Sequence, residues 1–296
     1  MQTLAQVTYA RLTRGPNLIV SRGPIAAEFT SGLYTVEPFD RAVLSWNARG
    51  AARFELEAGG AWHTMGFWGN KPASEKDASV DVDVLTLPEL ASSFRFRVIP
   101  DSHSEISLVA VTHWRRSDAR ALTSAPAAAW GKILRVPERS QLSEKADALR
   151  VCSPTSLAMV LEFHGFAKST REIADGVYDH AAKIYGNWPF NTAHAHRVSG
   201  MEAYVRRGAG IEDLEAEIAA GRPVIVSHSW KRGDLDGAPL HESKGHLIVV
   251  AGFTENGDIV VNDPAAKPGE VRRVYKRTQF FKTWLQNAAG IMYLIE

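Results

Sequence analysis

The chain has 296 residues, of which 45% are hydrophobic and 23% charged; this is ordinary globular usage, and the length suits two domains. Its 34 lysines and arginines against 33 aspartates and glutamates leave a formal net charge of +1, so no nucleic-acid partner is expected. A single cysteine excludes an intrachain disulfide framework and a multi-cysteine zinc site. Residues 1–11 show no basic segment followed by an apolar run, and no stretch approaches the ~18 apolar residues of a membrane span. The expectation is a soluble, cytoplasmic protein with no membrane partner.

Residues 1–116 read as all-β. Short alternating or apolar runs at 17–20, 42–46, 52–58, 79–84, 94–98 and 106–111 are separated by turn residues, and Gly59-Gly60 marks a hairpin. Val80, Val82 and Val84 alternate with Asp81 and Asp83, which predicts a strand with one wet face. Strands at this regular spacing predict a sandwich. Trp62, Phe67 and Trp68 are expected in its core or at an interface rather than on a sugar-binding face. Residues 117–132 are polar or small without periodicity and read as a linker.

From residue 133 the pattern is mixed. Helices are predicted at about 153–164, 169–180 and 211–220, the last stopped by Gly221. Strands are predicted at 223–228, 245–253 and 258–263, with the Asn256-Gly257 hairpin signal between the last two. Residues 187–191 read as an irregular loop in which Trp188 could line a substrate groove. There is no internal repeat.

The most informative string runs from Arg150 to Leu161 and contains Cys152. Cys152 falls where a helix starts; Ser153 is expected to cap that helix, Pro154 suits its first turn, and Leu157, Val160 and Leu161 form an apolar stripe. A thiol at a helix N-terminus meets unpaired N–H groups and the positive end of the macrodipole, and both favour the nucleophilic thiolate. His246 begins a strongly apolar strand, and Asp263, followed by Pro264, ends the next. If the Asn256-Gly257 turn makes a hairpin, the two residues meet at one edge of the sheet. An imidazole beside a thiol takes its proton, and a carboxylate behind the imidazole fixes its tautomer. Gln141 is then a candidate oxyanion donor, a role typically worth about 2.7–4 kcal/mol in the transition state.

Five blocks stand in order: Val136-Pro137-Glu138-Arg139-Ser140-Gln141; Cys152-Ser153-Pro154-Thr155-Ser156; Gly221-Arg222-Pro223-Val224-Ile225-Val226; Gly245 to Phe253; and Val261-Asn262-Asp263-Pro264. Residues 133–296 thereby resemble the papain-like cysteine peptidases related to double-glycine leader peptidases. The resemblance implies an α+β chain: an N-terminal antiparallel β-sandwich (1–116, similar to accessory domains ahead of such enzymes), then a papain-like cysteine-protease domain. It implies a Cys152–His246–Asp263 triad with Gln141 at the oxyanion hole. The family usually has glycine directly after the nucleophile, whereas this chain has Ser153, whose side chain is expected to narrow the cleft and contact the substrate.

The expected activity is hydrolysis of peptide or amide bonds in a peptide or protein substrate, through an acyl-enzyme. Acyl transfer to an amine, as in a transglutaminase-like enzyme, uses the same triad. A catalytically retired binding module is the third reading, and Ser153 is its only support. No cofactor is expected. His194 and His196 would share a face on one strand, and His228 and His241 flank the catalytic strand, but no Cys pair or His-Glu-x-x-His accompanies them. No metal site is expected, and His228 is taken as a local substrate contact together with Trp188. Residues 233–237 (Gly-Asp-Leu-Asp-Gly) lack the closing glutamate of a calcium loop and read as a cleft-side loop.

Overall fold

A computed structural model describes residues 17–69, 77–116, 122 and 127–296, without the side chain of residue 146. The N-terminal stretch inspected for a leader and most of the predicted linker lie outside these residues. The chain divides into two compact units, Met1–Arg116 and Ser117–Glu296.

The first unit is antiparallel β: β1 (Leu18–Ile25), β2 (Phe29–Thr30), β3 (Tyr34–Arg49), β4 (Ala52–Ala58), β5 (Ala61–Trp68), β6 (Val80–Asp81), β7 (Val84–Pro100) and β8 (Glu105–Trp114). The strand order is β1-β8-β3-β7-β4-β5, with β2 and β6 added on β7. The long strands β3 and β7 change partners along their length, β3 leaving β7 for β8 and β7 leaving β3 for β4. Trp46 of β3 stacks on Phe54 of β4, ring centroids 4.0 Å apart, although β3 and β4 are not neighbours in the strand order. The strands therefore fold over into two facing layers. Gly59 and Gly60 make the expected hairpin at φ +62 and +82°. The Val-Asp alternation does not run as one strand: β6 stops at Asp81, Val82 turns at φ +57°, and Val80 pairs back on Leu85. Trp68 is buried, while Trp62 is only partly so and carries the guanidiniums of Arg95 and Arg97 on its ring.

The second unit sets helices on a six-stranded antiparallel sheet. In chain order it holds a 3-10 turn (Gln141–Asp147), α1 (Cys152–Phe163), α2 (Thr170–Val177), α3 (Trp188–Ser199), β9 (Ala203–Arg207), α4 (Ile211–Ala219), β10 (Val224–Trp230), β11 (Ser243–Phe253), β12 (Ile259–Asn262), β13 (Arg272–Tyr275), α5 (Arg277–Phe281) with a π turn (Lys282–Gln286), and β14 (Ile291–Ile295). The sheet runs β13-β12-β11-β10-β14-β9. The whole chain is thus α+β.

Helix α1 sits between that sheet and α2 and α3. It is buried without a break from Ser153 to Leu161, which is why its apolar residues are not confined to the expected stripe. Its first residue is Cys152 itself, and no side chain caps it: Ser153 lies inside the helix, correcting the expected cap. Helix α3 replaces the loop expected at 187–191. Asn187 caps it by accepting the Phe190 N–H at 3.0 Å, and Pro189 sits in its first turn. His194 and His196 therefore lie on a helix, where i and i+2 diverge, and not on a strand. His194 packs against Gly176 and its Nδ1 meets Arg197 at 2.8 Å.

Candidate active site

Three backbone segments converge on the site. The first is the start of α1, which presents Cys152. The second is β11, locked to β10 by pairs running from Val224–Val250 to His228–His246. The third is the end of β12, paired antiparallel to β11 from Phe253–Ile259 to Val249–Asn262. The Asn256-Gly257 turn closes that hairpin, with Gly257 at φ +79°. His246 and Asp263 therefore lie at the same sheet edge. Pro264 and Ala265 then turn the chain away, and the Ala265 N–H donates to Asp263 Oδ1 at 3.0 Å.

His246 Nε2 lies 2.7 Å from Asp263 Oδ1, both residues being buried. His246 acts on the Cys152 thiol and favours its ionised form, and Nδ1 is the ring nitrogen that Asp263 does not take. The backbone N–H groups of Leu247 and Ser153 also favour the thiolate. Cys152 is partly exposed as a residue, while His246 and Asp263 are buried.

Burial disfavours charge on each of the three groups, and their mutual attraction reverses it. Burial raises the Cys152 thiol, yet the hydrogen bond to His246 and the imidazolium charge bring it below its ordinary value. Burial lowers His246, yet Asp263 and then Cys152 push it up to about 10. Burial raises Asp263, yet His246, Tyr275 and the Ala265 N–H bring it down. Each of these shifts favours the charged form of its group.

Tyr275, at the end of β13, donates its hydroxyl to Asp263 Oδ2 at 2.7 Å. Each oxygen of Asp263 thus has its own partner, which fixes the carboxylate plane. Sequence reading missed Tyr275, because its short strand shows no alternation and its place beside Asp263 depends on β13 pairing with β12. Trp230 was also missed as a site residue. It closes one side of the imidazole edge-on, ring centroids 5.8 Å apart and planes at 70°.

Gln141 opens the 3-10 turn capped by Ser140. Its N–H donates to the Pro264 carbonyl at 2.8 Å, and its Nε2 donates to the Ala148 carbonyl at 2.7 Å. Its backbone is thus tied to the Asp263 loop and its side-chain amide to the approach to Cys152, while its buried Oε1 has no hydrogen-bond partner among the described residues. Asn262 ties the Val136 and Pro137 carbonyls to β12 through its Nδ2, at 3.2 and 3.0 Å, so the first and last sequence blocks are joined.

Two expected substrate contacts are corrected. Ser153 is fully buried, and its hydroxyl lies 3.2 Å from Tyr293 Oη on β14, so its side chain points into the protein and does not narrow a cleft. His228 is also fully buried, with Nδ1 2.8 Å from Thr283 Oγ1; burial and the facing His246 charge hold it neutral, at about 3. Trp188 is half-buried as the first residue of α3. Among the described residues no group of three or more His, Cys, Asp or Glu is placed to hold a metal ion.

The model of the Peptidase_C39 like family matches residues 133–291, more than half of the chain and all of the segments just described. The chain belongs to the Peptidase_C39 like family. It is accordingly an enzyme, a cysteine peptidase of papain-like fold. Two solved structures are similar to it. A C39-like peptidase from Bacillus anthracis is 18% identical with a TM-score of 0.43, over 56% of this chain and 98% of that one. A double glycine motif protease from an AMS/PCAT transporter, in complex with its leader peptide, is 20% identical with a TM-score of 0.38, over 55% of this chain and 93% of that one. No curated protein matches significantly. No helix among the described residues is long and apolar enough to cross a membrane.

Proposed function

We propose that this peptidase cleaves a peptide bond with Cys152 as nucleophile, His246 as acid and base, Asp263 as the group that holds the imidazole, and Gln141 as an oxyanion donor. The observation that carries the reading is one buried imidazole that is held by a carboxylate at 2.7 Å and that favours ionisation of the Cys152 thiol. The thiolate attacks the carbonyl carbon. The oxyanion that forms is held by the Cys152 N–H at the head of α1 and by the side-chain amide of Gln141. The His246 imidazolium gives its proton to the leaving nitrogen as the C–N bond breaks, leaving a thioester and a neutral imidazole. That imidazole then takes a proton from water as the water oxygen attacks; the C–S bond breaks, and acid product and thiolate–imidazolium pair are restored.

The test uses the protein's single cysteine. At pH 6, Cys152 in the folded chain is expected to react with iodoacetamide much faster than in the denatured chain, whose thiol is mostly protonated at that pH. Labelling no faster than in denaturant overturns the reading. Cys152→Ala is expected to abolish peptide cleavage, and weighing the products with and without an added amine separates hydrolysis from acyl transfer.

A further inference from the structure

The chemistry above leaves a large groove unused. It holds about 970 Å³ and lies against the site, because Trp230 forms both its wall and the cover of the His246 ring. Its other walls are the loop after β10, the start of β11 and the π turn.

The charge of this groove is lopsided in a chain that is close to neutral overall. Lys231, Arg232, Lys244 and Lys282 line it, against Asp234 and Glu242. Asp234 is already engaged: it pairs with Lys282 at 2.7 Å and accepts the Lys231 N–H at 3.1 Å. Arg232 and Lys244 are exposed and form no ion pair with a described residue.

The register of the sheet explains how a lysine comes to stand there. His228 faces His246 and Trp230 faces Ser243, so β11 carries one extra residue between these pairs, at Lys244-Gly245. A bulge of this kind breaks the alternation of faces and re-aims a side chain. Lys244 sits about 7 Å of strand from His246.

We propose that this groove seats an acidic side chain of the peptide substrate, with Arg232 and Lys244 as the carboxylate's partners and Trp230 as its wall. The proposal rests on the reading of Cys152 as the nucleophile of a peptidase. Arg232 offers a planar two-pronged donor that matches a carboxylate, and Lys244 adds a point charge on the side nearest the chemistry. The residue pair Lys231-Arg232 belongs to the segment that also contains the Asp-Leu-Asp loop, so the loop's role is to carry specificity rather than a metal: Asp234 and Asp236 are held by Lys282 and Lys276.

The test is a binding measurement on the full chain carrying Cys152→Ala, which cannot turn the probe over. The probes are a fluorescein-labelled decapeptide with three central glutamates and its glutamine isostere, read by fluorescence anisotropy. The glutamate peptide is expected to bind about tenfold more tightly, with the difference shrinking as salt is raised. Arg232→Glu with Lys244→Glu is expected to erase the preference, whereas Lys168→Glu with Lys183→Glu, outside the groove, keeps it. Equal binding of the two probes overturns the proposal, as does a glutamate preference that survives reversal of Arg232 and Lys244 in a variant whose thermal midpoint is unchanged. Iodoacetamide labelling of the Cys152 chain at pH 6 reads the triad separately. A fast thiol with no glutamate preference sinks the groove alone, and a slow thiol with the preference intact sinks the triad alone.

Discussion

At the scale of residues, the site depends on a contest between burial and pairing. A buried imidazole with no carboxylate bonded to it stays neutral, as His228 does, paired directly with His246 across the sheet. His246 is as buried as His228 but has a carboxylate on one nitrogen and the Cys152 thiol acting on it, and it moves the opposite way, to about 10. This gives a signed pH dependence. In the proposed mechanism turnover needs the thiolate and the imidazolium together, so kcat/KM is expected to rise as Cys152 loses its proton below the ordinary thiol range. It is expected to fall as His246 loses its own near pH 10. Asp263→Asn removes the charge that raises His246. The descending limb of the profile is then expected to move to lower pH, with kcat/KM at neutral pH reduced roughly 10²-fold or more. An unmoved limb would show that Asp263 does not set the protonation of His246. Cys152, His246, Asp263 and Gln141 were all legible as candidates, because a thiol at a helix start and polar residues at strand ends are local patterns. The hydroxyl of Tyr275 was not, since nothing near it in sequence announces its partner.

At the scale of elements, the hairpin between β11 and β12 is what makes two residues distant in sequence into neighbours. Its turn tolerates no side chain at Gly257, where φ is +79° and an added Cβ would fall 2.3 Å from the Trp130 ring. That ring cannot step aside freely: its Nε1 donates to Glu215 at 2.8 Å, and the Arg277 guanidinium lies over its face. Gly257→Ala is therefore expected to cost more than about 1 kcal/mol of stability, read as a lowered urea midpoint. Turn signals and helix stops of this sort were readable directly, as were α2 and α4. Helix α3 carried its own start signal in Asn187 and Pro189, yet its apolar positions follow no clear period, so a loop was the natural reading. Strands β9, β13 and β14 were invisible for a related reason: each is short, and β13 and β14 gain their partners only from sheet order.

At the scale of the whole molecule, every residue of the proposed chemistry and of the groove lies within Ser117–Glu296. Expressed alone, residues 117–296 are expected to label at Cys152 with iodoacetamide at pH 6 at the rate of the full chain. A markedly slower rate would assign the β unit a part in shaping the site. By itself the sequence determined the kind of chemistry, the order of its blocks and the change from all-β to mixed structure, because these rest on residue types and short-range periodicity. Only the tertiary structure decided that Ser153 and His228 turn inward, that Tyr275 holds Asp263, and that a bulge sets Lys244 in a cationic groove. Those facts depend on which strands lie side by side and in what register, and pairing over long separations is governed by burial across the whole sheet rather than by any local run of residues.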